Sequence, residues 1–198
     1  ANEALSKGTS GVTITSTTDL TAPSTLEIPN AFGHGTSTSV EIEQPVSTDL
    51  TISEKTTSDK ELPETLSVEM ETTASLIVDT PNLTVSLEGT YTTVEATTAE
   101  NTLIVAKNTV IETLTVKKGN VKIYGTVGEI VNEGTGKIIR CIDAQDEVER
   151  TLADTRCDHI LIEKPAGTLD FGGGTTTKQV CVEASVTIAN LIVSPEKE

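Results

Sequence analysis

Carboxylates, thiols, imidazoles and aromatic rings carry most protein chemistry, and this chain spaces them thinly. Glu41 and Glu43 flank Ile42, and Glu69 and Glu71 flank Met70. In a strand each acidic pair would share the face opposite the apolar residue between them. With Val40 stacked over Leu66, Glu43 would stand beside Glu69 at about 5 Å, a repulsion that Ca²⁺ would relieve. Carboxylates splayed into water would relieve it too. No other cofactor is implied.

The three cysteines, Cys141, Cys157 and Cys181, permit at most one internal disulfide. Cys141 with Cys157 would close a loop of about 15 residues, worth ~3 kcal/mol; three reduced thiols in or near the core are the alternative. Cys157 and His159 alternate onto one face and, with Cys181, would seed a metal site. They lack the second spaced ligand pair of a zinc centre and read more simply as strand positions. The string Asp170-Phe-Gly-Gly-Gly-Thr-Thr-Thr-Lys178 carries letters of nucleotide-binding motifs without their spacing or flanking elements. It reads as a glycine turn between two strands.

Polysaccharide lyases and hydrolases need clustered carboxylates. Asp19, Asp49, Asp59 and Asp79 are isolated in the sequence, so no catalytic residue is assigned. Two Phe, two Tyr and no Trp leave few rings to stack on a sugar. Phe32 and His34, in the loop Ala31-Phe-Gly-His-Gly35, and the ring of Tyr91 are therefore the expected ligand contacts. Lys107, Lys117, Lys118 and Lys122 form a local basic spot that balances charge or receives an anionic glycan.

The elements that must position these groups are strands. Among the 198 residues 36 are Thr, and aromatic residues make up 2%, so burial rests on regular stacks of Val, Ile, Leu and Thr. A net charge of −16 argues against a nucleic-acid partner, which requires a clustered cationic surface, and equally against an anionic membrane surface. No stretch approaches the ~18 apolar residues of a transmembrane helix.

The phrase Ser75-Leu-Ile-Val-Asp-Thr-Pro-Asn-Leu-Thr-Val85 returns as Thr113-Leu-Thr-Val-Lys-Lys-Gly-Asn-Val-Lys-Ile123, with a partial copy at Thr102-Leu-Ile-Val105. Apolar residues at alternate positions, separated by Asn or Gly turns, mark a solenoid of short strands. Two interleaved series follow. One runs Leu26, Leu50, Leu76, Val94, Leu114, Ile130, and the other Val40, Leu66, Leu83, Leu103, Val121, Ile138. Their steps match one solenoid coil.

The expected organisation is a flexible tether over 1–10, solenoid coils over 11–140, a short capping or linking α-helix within 141–156, and further strands of the same solenoid over 157–198. The helix rests on Ala144, Val148 and Leu152 at i, i+4, i+8, with Asp143 as N-cap. The early coils are longer and carry loop insertions. A β-sandwich is the alternative for the N-terminal part.

The run from Leu62-Pro-Glu-Thr-Leu to Gly125-Thr-Val-Gly-Glu-Ile-Val-Asn-Glu-Gly134, with Leu87-Glu-Gly-Thr-Tyr91, resembles the right-handed β-helix domains of secreted proteins and lipoproteins from gut Bacteroidales. Asp158-His-Ile-Leu-Ile162 and Thr168-Leu-Asp170 resemble the entry into a pectate-lyase-like coil stack. The resemblance implies an all-β, right-handed parallel β-helix in a secreted, periplasmic or lipid-anchored protein; separately, the lack of a charged-then-apolar amino terminus marks Ala1 as the expected start of a processed or trimmed chain. It brings no activity with it.

The expected function is thus a non-catalytic exported surface protein, adhesive or glycan-binding, whose partner is a glycan or a cell-surface component. A polysaccharide-degrading enzyme and a purely structural spacer are the two alternatives.

Overall fold

Alternation of β-branched and polar residues makes strands almost everywhere, and stacking in register turns those strands into columns. The computed structural model describes residues 11–15, 22–29, 38–55, 65–97, 102–133, 137–142, 149–151, 156–162, 166–171, 176–182 and 188–193. Sixteen strands and no helix lie among them. The chain divides into two compact units, Ala1–Gly136 and Lys137–Glu198.

In the first unit one row of paired strands comprises β1 (Gly11–Ile14), β3 (Thr38–Ile42), β5 (Thr65–Asp79), β6 (Thr84–Ala96), β7 (Thr102–Val105) and β9 (Asn120–Ile123). A second row comprises β2 (Ser24–Pro29), β4 (Leu50–Lys55), the later halves of β5 and β6, β8 (Val110–Val116) and β10 (Thr126–Asn132). Each pairing is parallel. The N-terminal strands therefore do not form the antiparallel sheets of a β-sandwich.

Parallel sheets are usually covered on both faces by helices. Here the strands alternate buried with half-buried or exposed positions, as in Thr102–Val105 and Asn120–Ile123, where Leu103, Val105, Val121 and Ile123 are buried and the residues between them half-buried, so each row buries one face. In the first row Val12, Val40, Val68, Leu87, Val105 and Ile123 stand in register. In the second Leu50, Leu76, Val94, Leu114 and Ile130 do the same. Most of these side chains are fully buried, each worth roughly 1.5–3 kcal/mol relative to exposure.

The second column matches the expected series from Leu50 onward, but Leu26 pairs with Ile52 rather than Leu50. Val40 likewise pairs with Val68, not Leu66, and Leu66 with Val85, not Leu83. All three departures are slips of two residues. Such a slip keeps every side chain on its own face, so alternation alone does not choose between the registers.

A third column forms where β5 and β6 pass from one row to the other. Val46 bridges Thr72, Thr72 pairs with Tyr91, Tyr91 with Ile111, and Ile111 with Val127. The register of β5 against β6 shifts between Thr72 and Ser75. Ala74 N–H donates to Thr72 Oγ1 at 3.1 Å, a local hydroxyl turn that bends the strand without breaking it.

The β5–β6 turn is held from the neighbouring strand β4. Glu54 accepts from the Asn82 backbone N–H at 2.5 Å and from Asn82 Nδ2 at 3.0 Å. Inside the turn, buried Thr80 donates from Oγ1 to the Leu83 carbonyl at 3.1 Å.

The second unit repeats the plan. One row holds β11 (Lys137–Ile142), β13 (Arg156–Ile162) and β15 (Thr176–Val182); the other holds β12 (Glu149–Thr151), β14 (Ala166–Phe171) and β16 (Ile188–Val193). The expected helix is overturned where the structure describes it. Glu149–Thr151 is a strand paired in parallel with Thr168–Asp170, and the remainder of 143–154 lies outside the described residues. An i, i+4 apolar spacing is a local preference, and the ladder partner on β14 outweighs it.

Candidate functional site

Outward positions on β3, β5 and β6 carry one repeated formula. Thr65-Leu-Ser-Val-Glu69 on β5 and Thr84-Val-Ser-Leu-Glu88 on β6 lie side by side in register, and Ser39-Val-Glu41 on β3 aligns with their last three positions. Valine and leucine turn inward, and hydroxyls and carboxylates turn out. Two ladders result, Ser39–Ser67–Ser86 and Glu41–Glu69–Glu88, with one rung per strand at a spacing of about 4.8 Å.

All three carboxylates of the acidic ladder are exposed. Thr13 Oγ1 donates to Glu41 Oε2 at 3.5 Å, and Ser67 Oγ donates to Glu88 Oε1 at 3.3 Å. The hydroxyls thus relieve the two ends of the ladder, and Glu69 stands between like charges. Replacing Glu69 by Gln is expected to raise the unfolding free energy by about 0.2–1 kcal/mol, because like charges opposite one another on neighbouring strands destabilise the pair. The gain should shrink as salt is added. Urea titrations at low and high ionic strength check both points, and a destabilised variant would contradict the repulsive ladder.

Among the residues expected to bind a metal, Glu69 belongs to this ladder and Glu43 does not. Glu41, not Glu43, is the partner of Glu69; Glu43 follows the end of β3, its N–H donating to the Ile14 carbonyl at 3.0 Å. The two-residue slip described above moved the wrong glutamate into place. Among the described residues no group of three or more His, Cys, Asp or Glu side chains is arranged to hold a metal ion.

Tyr91 is not a sugar-stacking surface residue. It is fully buried in the corner column, and its hydroxyl donates to the Glu88 carbonyl at 2.8 Å with the Val68 carbonyl at 3.2 Å. Burial pushes its phenol pKa well above the usual tyrosine value. The ring lies in the core where β6 passes from one row to the other. Phe32 and His34 lie outside the described residues.

The proposed Cys141–Cys157 bridge does not fit the register. Buried Cys141 stands opposite Leu161, and Cys157 is four residues earlier on the same strand. At about 3.3 Å per residue that is ~13 Å, beyond the ~7 Å between Cα atoms that a disulfide spans. Of the basic spot, Lys117 pairs with Glu95 at 2.8 Å. That hydrogen bond holds its ammonium above the usual lysine value.

A cavity lined in part by Val78, Ala96, Leu103 and Lys118 has a volume of about 10 Å³, room for a single water and far too small for a sugar ring. Among the described residues no helix is long and apolar enough to cross a membrane. The paired ladders escaped the sequence reading, although Thr-x-Ser-x-Glu recurs within 65–69 and 84–88. That recurrence of outward residues was the available signal. No protein-family model, no curated protein and no solved structure matches this chain.

Proposed function

We propose that this chain is a non-catalytic scaffold of an exported surface protein, a right-handed parallel β-helix whose coils space and display other parts of the molecule. The observation that carries the reading is the column running unbroken through Val12, Val40, Val68, Leu87, Val105 and Ile123 on six successive strands. Parallel partners that are separated by about one coil of sequence need a crossover between them, and such crossovers are right-handed in ~98% of cases. A stack of this kind is stabilised mainly by nearest-neighbour contacts between coils, so its length can change without loss of the fold. The outward hydroxyls and carboxylates suit a hydrated exterior, and the acidic composition suits an extracytoplasmic setting. The pectate-lyase-like coil stacks of secreted gut Bacteroidales proteins are the architecture that this reading extends.

Excising residues 103–120 would test the scaffold directly. Thr102 would then precede Val121 as Thr84 precedes Val85, leaving Val121 over Val85, Val127 over Tyr91 and Ile130 over Val94. The shortened chain is expected to keep its β-sheet circular dichroism and a cooperative melt, and to lose about 4.8 Å along the stacking direction in small-angle scattering. An unfolded product would refute interchangeable coils.

The display role makes a second demand, that the intact chain neither binds nor turns over polysaccharide. A glycan array together with reducing-end and unsaturated-product assays is expected to be silent. Specific binding would favour the adhesive reading, and turnover the enzymatic one.

A further inference from the structure

No further inference is drawn: the strongest candidate, the in-register ladder of Glu41, Glu69 and Glu88 on the outward face of β3, β5 and β6, is an acidic cluster with no second feature in the structure that points to a ligand.

Discussion

Gly89→Ala is expected to cost about 3–5 kcal/mol, near the largest single-substitution effects seen in folded proteins. Two independent constraints meet at this position. Gly89 has φ of +115°, a conformation that L side chains rarely adopt and that strains the backbone by roughly 1–3 kcal/mol. A Cβ there would also lie 2.0 Å from the Met70 carbonyl oxygen and 3.0 Å from its carbon. Those are backbone atoms of the neighbouring strand, paired in register with Gly89, so relief requires β5 and β6 to part. Gly11→Ala is the control, because the nearest atom to its added Cβ is the rotatable Ser39 Oγ at 3.0 Å. In a chain of this size each kcal/mol moves Tm by roughly 2–4 °C, so the Gly89 variant should melt roughly 6–20 °C below the parent and Gly11→Ala close to it. Equal melting points would mean that the Met70 carbonyl does not approach Gly89 so closely.

Much of the fold was legible because its rule is local. Alternation within Leu76-Ile-Val78 or Leu83-Thr-Val85 declares which face turns inward, and the recurrence of the phrase at 113–123 declares that strands repeat. The column Leu50, Leu76, Val94, Leu114 and Ile130 followed from those two facts. What alternation conceals is the choice between registers two residues apart, and Leu26, Val40 and Leu83 each stand two residues from the expected column. Placing Glu43 instead of Glu41 beside Glu69 was the direct cost, since an error in the core column carries over to each outward side chain on the strand.

Tyr91 departs from expectation for a related reason. Rarity suggests function, whereas a large ring among small β-branched residues also serves to fill the core where a strand changes rows. Its neighbour could have given the warning. Gly89 stands two residues before it, and a glycine inside a strand pattern often marks a bend or a close backbone approach. The expected helix within 141–156 failed differently. Its apolar stripe is genuine as a spacing, but Glu149–Thr151 pairs with Thr168–Asp170, a strand distant in sequence, and such pairing cannot be seen in a local window.

The corner column yields the second large effect. Tyr91→Ala removes a fully buried ring between Thr72 and Ile111 and is expected to cost about 3–5 kcal/mol, the range for deleting an aromatic side chain from a packed core. Tyr91→Phe isolates the hydroxyl. It keeps the ring and strips the Glu88 and Val68 carbonyls of their shared donor, at a cost of about 1–3 kcal/mol if no water replaces it. The two variants also part company in alkali. Because burial raises the phenol pKa in the folded chain, the unfolded chain, with tyrosine near the ordinary value of about 10, gives up its proton first. The contribution of Tyr91 is therefore complete below pH ~10 and is lost as pH rises toward the folded value, by up to ~1.4 kcal/mol per pH unit. Tyr91→Phe has no such proton to lose. Its stability deficit against the parent, measured by urea unfolding from pH 8 to 11, should narrow as the pH climbs above 10, with Tyr124 and the lysines common to both chains. A deficit that stays constant across that range would place the Tyr91 hydroxyl in water rather than against the Glu88 carbonyl.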